Sequence, residues 1–194
     1  MYKRLKEFLQ QFVSLTDEEF QYFSGLLQEK RLQKNEFLTR AGESEQFIYF
    51  LEEGIIHQFF LKGKEVITIE LVNEGTIINA AVSFLSNKPS HYSLQAIEPS
   101  LLYALSKKDL ENLYATDKKW QRMGRLMISF FLIRQERNII DNIRLSMRER
   151  FIRFAVENPE LMKRVPQRRL ASYLNIKPET FTRLKPLLKN ISEL

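Results

Sequence analysis

A chain of 194 residues, 44% hydrophobic and 28% charged, can bury one sizeable core and a smaller second one, which excludes a disordered or fibrous protein. Zero cysteines exclude disulfides, thiol catalysis, cysteine-ligated zinc and cysteine-held iron–sulfur clusters. The net charge of +6 is unevenly placed: residues 144–194 hold 12 Lys/Arg against 5 Asp/Glu, a net of +7, so the basicity belongs to the C-terminal part.

No apolar run approaches the roughly 18 residues of a membrane span, and the opening MYKRLKEFLQ carries no hydrophobic leader, so the expectation is a cytoplasmic protein with no membrane partner. Residues 2–27 have helical periodicity, with Leu5, Phe8, Leu9 and Phe12 on one face. Thr16 followed by Glu19 forms a capping box ahead of Phe20, Phe23 and Leu27. From about Lys30 to Leu105 the period falls to two, in runs such as QFIYFLEE, IIHQFFL and EVITIELV, with glycines at 42, 54, 63 and 75. This predicts an antiparallel sandwich or jelly roll, with Gly63-Lys64 as a two-residue hairpin turn.

The order Ala41-Gly42-Glu43, Gly54, Gly63, Gly75 resembles the cyclic-nucleotide-binding jelly roll. In nucleotide-binding members, the resemblance implies, a Gly-Glu pair binds the ribose and an Arg followed by Ser or Thr neutralises the cyclic phosphate. Counting back from Gln95-Ala96, those positions fall on Asn79 and Ala80, then on Ser90 and His91, so both charged handles are missing from the pocket. A buried phosphate without its Arg loses several kcal/mol, about three orders of magnitude in affinity, so cyclic AMP is not expected to bind. An unidentified small-molecule effector is left open.

Leu105 to Tyr114 reads as a short helix capped by Ser106, and Asp117 to Leu145 as the longest helix. Met123, Met127, Phe130, Arg134 and Arg137 follow coiled-coil spacing there, which predicts a homodimer held by Met123, Met127 and Phe130. Ser146 to Leu161 opens a second domain with Phe151, Ile152, Phe154 and Ala155 on one helix.

Within Val165 to Leu188, two short helical patterns (Leu170, Ala171, Leu174, then Phe181, Leu184, Leu187, Leu188) flank Asn175-Ile176-Lys177. Asn175 suits a left-handed turn position, Lys177 is a weak N-cap, and Pro186 should end the second helix near Lys185. The run from Arg164 to Arg183 resembles the helix-turn-helix of the catabolite-activator and FNR-type (Crp/Fnr) bacterial transcription regulators. It is most similar to a branch with RVPQ before the first helix and Pro-Glu-Thr opening the second. The resemblance implies that Glu179 and Arg183 read bases, while Pro178 stands where a further Arg is usual in the best-known member. A carboxylate accepts from cytosine N4 and a guanidinium clamps guanine, so the pair suits adjacent base pairs. Thr180, Thr182, Lys185, Arg168 and Arg169 are the further candidates for DNA contact. A β wing is hard to find past Leu188.

The expected architecture is therefore α+β: a jelly-roll sensor domain over 1–115, a dimerisation helix over 116–145 and a winged-helix-like domain with a helix-turn-helix over 146–194. His57 and His91 lack carboxylate companions at ligand spacing, so no metal or cofactor is expected, and no nucleophile–base, P-loop or paired-acid motif suggests an enzyme. The rival expectation is a ligand-binding or protein-interaction module whose degenerate helix-turn-helix no longer binds double-stranded DNA.

Overall fold

The computed structural model describes residues 2–188. Two helices open the chain, α1 (Lys3–Gln10) and α2 (Asp17–Gly25). The capping box of α2 forms as its sequence demands: the Thr16 hydroxyl accepts from the Glu19 amide at 3.2 Å, and the Glu19 carboxylate accepts from the Thr16 amide at 2.8 Å.

Eight strands follow: β1 (Gln28–Leu32), β2 (Phe37–Thr39), β3 (Phe47–Glu53), β4 (Ile56–Lys62), β5 (Glu65–Val72), β6 (Thr76–Ile78), β7 (Ser93–Ala96) and β8 (Ser100–Ser106). They form two four-stranded antiparallel sheets, ordered β1-β8-β3-β6 and β2-β7-β4-β5. This is the double-sheet roll that the period-two runs predicted. Its interior is apolar, with Leu51, Ile56, Leu94, Ala96 and Leu102 fully buried. Gly63 sits at φ 63° in the β4–β5 turn, where Lys62 pairs with Glu65, so the expected hairpin is present. Gly54, at φ 100°, must be glycine on a second count, since a Cβ there would come within 2.8 Å of the Pro99 carbonyl.

A short helix, α3 (Ala81–Ser86), interrupts the strands between β6 and β7. After β8 come α4 (Lys107–Thr116), capped by Ser106 as expected, and the 27-residue α5 (Lys118–Arg144), capped by Asp117. Gly124 lets the two helices cross closely, because a Cβ at that position would run into the Tyr114 ring.

The predicted dimer seam needs correction. Met123 is buried within the single chain, in one cluster with Phe8, Phe23, Phe50 and Trp120, and Met127 packs half-buried against that cluster. Phe23 stacks on Trp120 with centroids 5.6 Å apart, Phe130 meets the Phe12 ring edge-on at 5.7 Å, and Arg134 pairs with Glu70 of β5 at 2.9 Å. The aromatic side chains of α1, α2 and the segment after α1 claim this face of α5. At 100° per residue the opposite face carries Ile128, Leu132, Ile139 and Ile143, which meet solvent together with Ile133 and Ile140, Leu132 at 66% and Ile143 at 80% exposure; of the predicted seam, Phe130 alone stays exposed, at 42%.

The C-terminal part is helical: α6 (Met147–Glu157), with a Ser146/Glu149 capping box, then α7 (Pro159–Arg164), α8 (Gln167–Tyr173) and α9 (Pro178–Leu184). A 3₁₀ turn over Lys185–Leu188 ends the described chain. The wing question concerns residues 189–194, which lie outside the described residues. Phe151, Phe154, Leu161, Leu170 and Phe181 form the core of this part, joined by Ile55, Leu71 and Ile97 from the roll. No helix among the described residues is long and apolar enough to cross a membrane.

Candidate nucleic-acid interface and sensor pocket

The helix pair is built as its sequence requires. Leu170, Ala171 and Leu174 of the first helix and Phe181 of the second are buried, and Phe151 of α6 meets Phe181 edge-on with centroids 5.2 Å apart. Asn175 takes φ 53° between them. The Ile176 amide donates to the Ala171 carbonyl and the Asn175 amide to the Ser172 carbonyl, each at 3.0 Å, the two bonds of a Schellman stop with asparagine in the glycine position. Lys177 is the N-cap of α9 and makes no side-chain cap, and Pro178 fills the first helical position, where a missing N–H is harmless. The α-helix ends at Leu184 and continues as a 3₁₀ turn through Pro186, as the missing backbone donor dictates.

Glu179, Thr182, Arg183 and Lys185 are exposed on the outer side of this pair, and Thr180 is half-buried. The Thr182 hydroxyl is already engaged: it donates to the Pro178 carbonyl at 3.1 Å and accepts from the Gln167 side-chain amide at 2.5 Å. Gln167 thereby ties the start of the first helix to the second, a contact that sequence spacing did not suggest. Lys185 lies 5.8 Å from the Phe181 ring centroid.

Arg168 and Arg169 part company. Arg168 is exposed, as a phosphate ligand should be. Arg169 instead turns toward the roll near His57, and its Nη1 is enclosed without a protein partner; burial depresses its pKa. The expectation that Arg169 faces DNA is corrected on this ground, because a residue on the inner side of α8 follows its apolar neighbours Leu170 and Ala171 into the domain contact.

In the roll, Ala80 is fully buried at the N-cap of α3, Ser90 is buried, Asn79 is half-buried and His91 is exposed. The Ser90 hydroxyl is used locally, donating to the Tyr92 carbonyl at 2.7 Å. Two groups that the sequence did not point out occupy this region. The buried Glu45 carboxylate accepts from the Thr39 hydroxyl at 2.6 Å, the amides of Gln46 and Phe47 at 3.0 Å and the Tyr49 hydroxyl at 3.2 Å, and reaches the Ala80 amide at 3.5 Å. Tyr92 brings its phenol against the start of α3. Burial raises its pKa, while the amides of Val82 and Ala81 and the side chain of Gln58 face the oxygen and act the other way. A carboxylate and a phenol thus border the start of α3. Neither was legible beforehand, because Tyr49 and Tyr92 look like ordinary strand aromatics and Glu45 sits in a loop.

At the junction of the domains, Arg164 at the end of α7 grips two carboxylates of the roll. Its Nη2 lies 2.5 Å and its Nη1 3.2 Å from the two oxygens of Glu74, and Nη2 also bonds Glu98. Burial pushes the Glu74 carboxyl up, but its hydrogen bonds from Arg164 and from the Gly54 amide outweigh this and hold it below the usual range. Among the described residues, no group of His, Cys, Asp and Glu is placed to hold a metal ion.

Comparison with known proteins agrees with this geometry. Residues 29–117 match the family described as the cyclic nucleotide-binding domain. No curated protein sequence matches the chain. Among solved structures, FixK2 from Bradyrhizobium japonicum is similar with a TM-score of 0.71 at 19% identity, over 86% of each chain. The catabolite activator protein of Thermus thermophilus gives a TM-score of 0.58 at 20% identity, over 93% of this chain and 87% of that one. The global regulator CLP of Xanthomonas campestris gives 0.67 at 15% identity, over 89% of this chain and 91% of that one. Residues 29–117 are therefore similar to the cyclic nucleotide-binding domain, within a chain that has the fold of the catabolite-activator and FNR-type regulators.

Proposed function

We propose that this protein is a sequence-specific, DNA-binding transcription regulator, that it acts as a homodimer, and that it does not respond to cyclic AMP. The observation that carries the reading is the outer face of α9: Glu179 and Arg183 stand exposed one turn apart on a short helix whose inner face is locked by Phe181. A guanidinium there suits guanine O6 and N7, and the adjacent carboxylate suits cytosine N4. Exposed Arg168 and Lys185 supply sequence-independent attraction to phosphates, in keeping with the net +7 of residues 144–194.

Dimerisation follows from the solvent face of α5. Ile128, Leu132, Ile139 and Ile143 share one stripe about 60° wide at 100° per residue, which suits a partner helix, and burying each contributes about 1.5–3 kcal/mol. The fold relatives are transcription regulators, which supports the same reading and gives none for an enzyme. Insensitivity to cyclic AMP rests on Ala80 and Ser90 in place of the charged handles, and on the Glu45 carboxylate and Tyr92 phenol beside them.

Selection of bound sequences from a random DNA pool, run with and without millimolar cyclic AMP, tests the reading as a whole. Enrichment of one inverted repeat, the same in both arms, is expected. Recovery of unenriched DNA would leave only a module with a degenerate helix-turn-helix, and enrichment that needs cyclic AMP would overturn the account of the pocket.

A further inference from the structure

The helix-turn-helix part is gripped at three separate points. Arg164 forks onto Glu74, in the β5–β6 turn, and reaches Glu98, in the β7–β8 turn. Glu74 in addition accepts the Gly54 amide of the β3–β4 turn at 3.0 Å, so two turns of the roll meet the guanidinium and a third is tied to it through Glu74. Further along, the Ser172 hydroxyl of α8 bonds the backbone of β5, accepting from the Thr68 amide at 2.9 Å and donating to the Val66 carbonyl at 3.1 Å. Between them, Ile55, Leu71 and Ile97 share one apolar cluster with the helices. A hinge pinned at a single point can swivel, but one pinned at separated points cannot.

We infer that Arg164, through Glu74 and Glu98, is a positioning residue that fixes the direction in which each α9 points, and so makes the protein select its operator by the distance between half-sites. This rests on the dimeric DNA-binding reading above. The planar guanidinium, with fixed donor directions and two carboxylates to satisfy, holds orientation better than a lone ammonium would. When one half-site is bound, the second binds from an effective concentration set by how narrowly the other reading helix is held. A tight clasp raises that concentration at one spacing and lowers it at all others. A loose clasp does the reverse, and binding to a single half-site is indifferent to both. Arg164 lies on α7, outside the reading helix, so its removal takes no base-reading group away.

The experiment compares wild type with Arg164→Met, which keeps an apolar stem of similar length, and with Glu98→Gln, which leaves the fork onto Glu74 in place. Without DNA, hydrogen exchange at the Thr68 amide reports whether α8 stays seated, and Arg164→Met should speed it at least tenfold. With DNA, Arg164→Met should lose at least tenfold in affinity for the selected inverted repeat, stay within twofold of wild type on a single half-site, and accept repeats lengthened by two base pairs that wild type rejects. Glu98→Gln should fall between the two. Unchanged Thr68 exchange would overturn the clasp whatever the DNA results. Faster exchange with spacing preference intact would reduce Arg164 to a stabilising contact, and equal losses on half-site and full site would do the same. If wild type bound neither DNA, the proposed function itself would fail, while the exchange result would still stand on its own.

Discussion

His57 and Thr68 meet through their side chains between β4 and β5, with His57 Nε2 2.8 Å from Thr68 Oγ1, while the other ring nitrogen, Nδ1, is buried without a protein partner. Thr68 in turn gives its amide to Ser172, so one polar chain runs from the interior of the sheet to the helix-turn-helix.

Burial, reinforced by the nearby Arg169, depresses the His57 pKa to about 3, so the ring is neutral in the folded protein. An unfolded chain takes up the proton below about 6.5. The folded state therefore loses stability as pH falls from that value toward about 3. The loss amounts to about 1.4 kcal/mol per pH unit, or about 2 kcal/mol by pH 5. Urea unfolding at pH 7 and pH 5 should show His57→Gln losing less on acidification than wild type by about that amount. Equal losses in the two proteins would mean that the ring takes up its proton as readily in the fold as in the unfolded chain.

The solvent face of α5 makes a second expectation concrete. Replacing Leu132 and Ile139 with Glu should give monomers in sedimentation, because the charges land on the face that meets solvent in a single protomer. Met123→Glu should instead unfold the protomer, since Met123 lies at 3% exposure within its core. A dimer that survives the double substitution would place the interface elsewhere.

Base reading can be separated from plain basicity on α9. Arg183→Ala should cost about 1–3 kcal/mol on the selected site and relax preference at a guanine. Lys185→Ala should weaken all DNA alike and reduce the salt slope by about one. Titrations at several salt concentrations on selected and random duplexes supply both numbers. If Arg183→Ala weakened the two duplexes equally, Arg183 would be a phosphate contact.

What the sequence made legible divides along the range of the interactions. The Thr16 capping box, the Gly63 hairpin, the Asn175 turn and the stop imposed by Pro186 depend on residues a few positions apart, and each is present in the structure. The seam on α5 was misplaced because periodicity gives a helix two apolar faces without saying which one the aromatic residues of α1 and α2 will cover. Phe12 and Phe23 settle that, and they meet α5 only in the folded chain. Arg169 was misread for the same reason, as its position relative to β5 is a tertiary fact. The clasp of Arg164 joins it to residues 66 and 90 positions away, so it leaves no local trace.

The seating of Ser172 on β5 has one more consequence. β5 closes one margin of its sheet, so on its outward side it offers unpaired amides and carbonyls, and it carries the exposed apolar side chains Val66 and Ile69. Such a margin is a template for strand addition by another chain. The Ser172 hydroxyl occupies the Thr68 donor and the Val66 acceptor there, with α8 as a physical cover. Because α8 covers this margin, variants that unseat it should expose the strand to sheet-like self-association and lose solubility before they lose fold.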